Sequence, residues 1–216
     1  SIRVPAALNG IVGFKNTARL VPTTGTLPLS TTLDTVCAMT RTVRDAILAH
    51  EVLSARDVPK AQRPLSGYRL AVVSSLMQDN MDATVSRAFE RSLNTLRSAG
   101  ARIDEIHLTE LNELAPMMST GGFSPAEGYA WHRALIEREA ERYDPRVLQR
   151  LMRGSGMKAH EYIDLVQARR QWIGRVEMAL VGYDAVLSPT TPITGPQISA
   201  VAPGAERDAE FFRVNG

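Results

Sequence analysis

Tyr68-Arg69-Leu70-Ala71-Val72-Val73-Ser74-Ser75 and the residues that follow it to Leu108 decide the fold. The first run is near-continuously apolar, the pattern of a strand buried on both faces. Asp82 then stands where a helix N-cap belongs, ahead of Val85, Phe89, Leu93 and Leu96 on one helical face. Gly100 supplies the left-handed residue that ends such a helix. Ala101 to Leu108 (ARIDEIHL) alternates like a second strand. A strand, helix and strand joined in this way make a crossover, so the two strands are predicted parallel and the connection right-handed.

The same reading extends in both directions. Upstream, Val43, Ile47, Leu48 and Val52 recur at helical spacing and predict a helix over Thr42–Leu53. Asp57 to Pro64 is a polar link. Val21 to Asp34, with Pro22, Gly25 and Pro28, reads as an irregular loop, and Ala7 to Phe14 as a short strand interrupted by Gly10 and Gly13. Downstream, Ser124-Pro125-Ala126-Glu127 has the form of a capping box and predicts a helix to Arg142. Asp144-Pro145 starts another, to Met152. Lys158 to Val181 is a long helix with Tyr162, Leu165, Val166, Ile173, Val176 and Leu180 as its stripe, ended by Gly182. Tyr183 to Ser188 is a last strand, running into the proline-rich stretch from Pro189 to Pro196. The expected class is α/β: a mixed, partly parallel sheet covered by helices.

Composition narrows the function. With 216 residues, 44% of them hydrophobic, and a net charge of +2, the chain can bury a core and is not of the disordered class. No apolar run approaches the roughly 20 residues of a spanning helix, so no membrane association is expected. Aromatic residues are 6% and the basic residues are unclustered, which argues against direct nucleic-acid binding. The single cysteine, Cys37, cannot form an intramolecular disulfide and fits a reducing, cytoplasmic setting. His50, His107, His132 and His160 form no i, i+4 pair, and neither a Walker A pattern nor G-x-G-x-x-G follows the first strand. No metal and no cofactor are therefore expected. Glu137 to Arg142 (EREAER) reads as a solvated helix face.

The opening carries the chemistry. Ser1-Ile2-Arg3-Val4-Pro5-Ala6-Ala7, then Gly10-Ile11-Val12-Gly13-Phe14-Lys15, resembles the end of the signature region of the amidase signature family. There a Gly-Gly-Ser precedes Ile-Arg-x-Pro-Ala, and Gly-x-x-Gly-x-Lys follows. The resemblance continues through Pro28-Leu29-Ser30, Leu33-Asp34-Thr35, Arg41-Thr42-Val43 and Asp45-Ala46, and returns at Asp184 to Thr190. Asn16 stands where the family usually has Pro, and Cys37 where it usually has Gly.

The resemblance implies a hydrolase that cuts linear amides with a Ser–cis-Ser–Lys triad, and it puts Ser1 at the nucleophile. An alcohol needs a base in hydrogen-bond reach to attack an amide. In the family that base is a second serine relayed to a buried lysine whose pKa desolvation lowers. Lysine occurs here only at Lys15, Lys60 and Lys158, and Lys15 lies on the wrong side of the motif. The chain is thus expected to be the central-to-C-terminal portion of an amidase, residues 1–216 forming a partial domain. In it, 1–58 would end the signature region and carry the following helix, and 65–216 would hold the crossover, the helical region and the final strand. Alone it is expected to be inactive. Thr190 and Thr191 follow a strand end and are candidate linings of the acyl pocket. Asp34 is expected to fix the loop after the signature, and Arg3 to act as a buried scaffold arginine. The implied partner is a small-molecule amide, with a homodimer as a further candidate. The rival readings are the glutamine-hydrolysing component of a tRNA-dependent amidotransferase (its A subunit), an N-terminal-nucleophile hydrolase, and a non-catalytic scaffold fragment.

Overall fold

In the computed structural model, which describes residues 2–59 and 63–201, the chain divides into two compact units. The first is built from Ser1–Lys15, Cys37–Leu108 and Leu180–Gly216, the second from Asn16–Val36 and Thr109–Ala179.

The first unit contains, in chain order, α1 (Arg3–Leu8), β1 (Val12–Gly13), β2 (Met39–Thr40), α2 (Val43–Ser54), β3 (Arg69–Val73), α3 (Ala83–Ser98), β4 (Arg102–Ile106) and β5 (Ala185–Leu187). Its sheet has the order β4-β3-β5 and is parallel throughout, with Leu70 opposite both Ile103 and Ala185. The predicted crossover is present. Asp82 Oδ1 accepts the Val85 amide at 2.7 Å as the N-cap of α3, and Gly100 has φ +96° at its end. Leu70, Ala71, Val72 and Val73 are all buried, because β3 is the central strand of the sheet. Leu93 is buried on the inner face of α3.

In this unit α1 and α2 depart from expectation. Residues 7–14 are not a single strand, because the chain from Arg3 to Leu8 is the helix α1, and only Val12–Gly13 pairs, antiparallel, with Met39–Thr40. Pro5 sits in the first helical turn, where its missing N–H forfeits no bond. Asn9 Nδ2 donates to Pro5 O at 2.8 Å, and Gly10 at φ +65° turns the chain back. Gly13 then runs directly against α1: a Cβ there would lie 2.6 Å from Ala6 Cβ and 2.8 Å from Ile2 O. The second correction concerns α2. Its start is as predicted, with Thr42 Oγ1 accepting the Asp45 amide at 3.1 Å. Its apolar residues do not form one inward stripe, however. Ala46 is buried, whereas Leu48 and Val52 are exposed.

The second unit holds α4 (Leu114–Met117), α5 (Phe123–Glu139), α6 (Pro145–Met152) and α7 (Ala159–Ala179). Helix α6 begins as the sequence predicts, with Asp144 Oδ1 accepting the Arg146 amide at 2.8 Å. The stripe of α7 also holds: Leu165 is buried and Tyr162, Val166, Ile173 and Val176 are half-buried. Trp172 Nε1 donates to Glu110 O at 2.7 Å. The capping box of α5 does not form. Gly122, at φ +78°, is its N-cap, Ser124 lies inside the helix, and Glu127 is used elsewhere. Asn16–Val36 is irregular, as its prolines and glycines predict. The buried Asn16 joins its two ends by donating to Val36 O at 2.8 Å. Asp34 fixes the loop as expected, Oδ2 accepting the amides of Leu29 and Ser30 at 2.9 and 3.0 Å.

Candidate functional site

Parallel sheets bind ligands beyond the carboxyl ends of their strands, at the point where the chain order switches direction. Here that point lies between β3 and β5, since β3 leads to β4 on one side and meets β5 on the other. The segments leaving the two strands are tied together by Asp82. Its carboxylate caps α3 through Oδ1, while Oδ2 accepts the Thr194 amide at 2.8 Å, and its own N–H donates to Pro192 O at 2.8 Å. The Val85 amide, then that of Thr194, hold the Asp82 carboxyl below the usual carboxylate range against the opposing effect of burial. One side chain thus fixes the proline-rich loop after β5. Asp82→Ala should lower the melting temperature and raise hydrogen exchange at Thr194 as well as at Val85. A variant that frees only Val85 would show that the loop holds itself.

Thr191 and Thr190 differ inside that loop. Thr191 is buried and its Oγ1 donates to Ile193 O at 2.8 Å, so its hydroxyl proton is engaged in shaping the loop. Thr190 is exposed. At the loop's far end, a Cβ on Gly195 would lie 3.8 Å from Leu8 Cδ2, which sets the loop beside the end of α1. Helix α1 starts two residues after Ser1, which itself lies outside the described residues. Lys60 lies outside them too. Arg3 is exposed and is not the buried scaffold arginine expected.

The second unit contains a polar centre that sequence reasoning missed. Glu127, on α5, accepts four hydrogen bonds. Oε2 takes the Ser30 hydroxyl at 2.5 Å and the Thr32 amide at 3.0 Å, and Oε1 takes the Tyr162 hydroxyl at 2.5 Å and the Thr32 hydroxyl. Burial pushes the Glu127 carboxyl up, but the hydroxyls of Ser30, Thr32 and Tyr162 and the Thr32 amide outweigh it and hold the group below its ordinary value. Beside it lies a cavity of about 610 Å³ whose lining includes Tyr129, Trp131, Arg133, Lys158 and Tyr162. Glu127→Leu would strand these donors and should cost about 2–3 kcal/mol. Glu127→Gln should cost about half as much, because hydroxyls can turn to accept from its amide. A depressed carboxyl contributes stability that is complete above the unfolded pKa near ~4.3 and is lost as pH falls through the folded value. The stability gap between wild type and Glu127→Leu, from urea unfolding, should therefore be level above about pH 5 and narrow below about pH 4. A gap that widened on acidification would contradict this.

Among the described residues no group of three or more His, Cys, Asp or Glu is placed to hold a metal ion. The buried His132 instead has its Nδ1 2.8 Å from the Tyr143 hydroxyl. No helix among the described residues is long and apolar enough to cross a membrane.

The family model described as Amidase matches residues 1–214. The chain belongs to the amidase family. The 2-amino-5-chloromuconic acid deaminase of Comamonas testosteroni is 28% identical over 205 residues, spanning 93% of this amidase chain and 44% of that protein. The A subunit of the glutamyl-tRNA(Gln) amidotransferase of Thermotoga maritima is 25% identical over 235 residues, spanning 93% of the chain and 50% of that protein. A solved amidase structure superposes with a TM-score of 0.85 at 27% identity, over 99% of this chain and 50% of the other. The amidase chain thus spans about half the length of the relatives it matches. Its α/β architecture, with parallel strands and helices, is that of the family's solved members.

Proposed function

We propose that this chain supplies the nucleophile of an enzyme that hydrolyses a linear amide C–N bond and releases ammonia or an amine. The family match from residue 1 onward carries the reading, because it takes in Ser1-Ile2-Arg3-Val4-Pro5-Ala6, the end of the signature that follows the nucleophilic serine. In this reading the Ser1 hydroxyl attacks the amide carbon and its proton passes to the second serine of a Ser–cis-Ser–Lys triad. The oxyanion is met by backbone N–H groups of the turn ahead of Ser1. Collapse of the tetrahedral species expels the protonated amine, and water then releases the acyl group as a carboxylic acid. The triad's other members belong to the half of the domain that the relatives have and this chain does not span, so the chain alone is inactive. Thr190 and Thr191 border the acyl group, held there by the Asp82 clamp.

The glutamine-hydrolysing component of a tRNA-dependent amidotransferase is the second reading, favoured by relatives such as the Thermotoga maritima protein. Ammonia release from simple amides tests both. The isolated chain should give none, the whole domain should turn over without any partner protein, and turnover only with partners would favour the second reading. Activity of the isolated chain would contradict the first.

A further inference from the structure

The cavity of about 610 Å³ beside Glu127 is lined from the second unit alone, and the Ser1 chemistry makes no use of it. Ala126 and Ala130, one turn apart on α5, leave space there that longer side chains would fill. Around that space stand three aromatic rings, Tyr129, Trp131 and Tyr162, and three charged side chains, Glu127, Arg133 and Lys158.

The three charges are not alike. Glu127 is already answered, because both its oxygens accept from Ser30, Thr32 and Tyr162, and these donors keep it ionised at neutral pH. Among the described residues, neither the Arg133 guanidinium nor the Lys158 ammonium has a hydrogen bond or an ion pair, whereas Arg142, Arg146 and Arg175 of the same unit are paired with carboxylates. The lining thus carries one net positive charge, which a single carboxylate would neutralise. A guanidinium fork matches the two oxygens of a carboxylate, and an ammonium adds a point charge. The Trp131 ring, 44% exposed, offers an open apolar face in the same cavity. The volume is that of a small-molecule site and far exceeds a lone anion.

We propose that this cavity binds an aromatic monocarboxylate, with its carboxylate on Arg133 and Lys158 and its ring against Trp131 and Tyr129. The proposal asks nothing of Ser1 and stands or falls apart from amide hydrolysis.

The test titrates 2-naphthoate into the full chain. Calorimetry reads the affinity, and the indole N–H resonances of Trp131 and Trp172, assigned with Trp131→Phe, read the place. A Kd of about 1 mM or tighter is expected for a ligand of this size. The Trp131 resonance should move, and that of Trp172, whose N–H is bonded to Glu110 O, should stay. This readout needs no substitution. 2-Naphthylmethanol keeps the rings without the charge, and inorganic phosphate keeps the charge without the rings. Each should bind at least about tenfold more weakly. Arg133→Met/Lys158→Met should weaken naphthoate by at least about tenfold, and Arg87→Gln on α3 should leave it unchanged. Circular dichroism checks that each variant is folded. Equal binding of the alcohol would reduce the cavity to an apolar surface, and equal binding of phosphate to a cationic patch. Undiminished binding by the double variant, or a Trp131 resonance that stays still, would put the ligand elsewhere. Any of these results, or no binding of naphthoate, would overturn the proposal. Amide turnover by the whole domain is read separately and bears on Ser1 alone.

Discussion

Replacing Ser1 by alanine in the complete amidase domain should reduce turnover of its amide by about a thousandfold or more, with KM changed far less. The loss falls on kcat because the hydroxyl makes its bond only on the way to the tetrahedral species, and binding does not use it. Residual rate would come from the backbone oxyanion donors and from substrate positioning. Steady-state kinetics on Ser1→Ala, with circular dichroism to confirm the fold, would check this. A fall of only a fewfold would mean that another group attacks the carbonyl.

The largest stability effect should come from Gly154. A Cβ there would overlap the Pro125 carbonyl oxygen and lie 2.9 Å from Ala126 Cα, both backbone groups at the start of α5. Backbone cannot turn aside as a flexible side chain can. Gly154→Ala should therefore cost about 3 kcal/mol or leave the second unit unfolded. Gly156→Ala, two residues on, meets nothing within 4 Å and should stay within about 0.5 kcal/mol of wild type. Urea unfolding of both variants gives the comparison. Equal stabilities would show that α5 shifts freely away from this turn.

The parts of the fold that were legible are those whose partners are near in sequence. Asp82 bonds to Val85 and Asp144 to Arg146, so the starts of α3 and α6 could be read from adjacent residues. The crossover followed from the strand and helix periods around them. Ser124 and Glu127 have the spacing of a capping box, but Glu127 bonds to Ser30, 97 residues away, and tertiary pairing overrides the local rule. The grouping of Asn16–Val36 with Thr109–Ala179 rests on the same long-range bonds and has no local signal. Helix α1 has no clear signal in the sequence, because six residues show too little of a 3.6-residue period and Gly10 and Gly13 give the look of a broken strand. The residues around Asp82 announce only its cap. Its second oxygen serves Thr194, 112 residues further on, and nothing near Asp82 announces that.

For the candidate site, only the resemblance carried by Ile2 to Lys15 points to Ser1, because a serine by itself has no local pattern that marks it as a nucleophile. Their place after a strand is all that marks Thr190 and Thr191 in the sequence. Burial and the bond to Ile193 separate the two residues, and neither is visible in the sequence.

The most direct measurement is peptide mass spectrometry of the whole amidase domain after reaction with a fluorophosphonate, which phosphorylates an activated serine oxygen and expels fluoride. The account requires a single stoichiometric adduct on the peptide that contains Ser1, absent from the Ser1→Ala variant. An adduct on a different residue, or unchanged labelling of the variant, would contradict it.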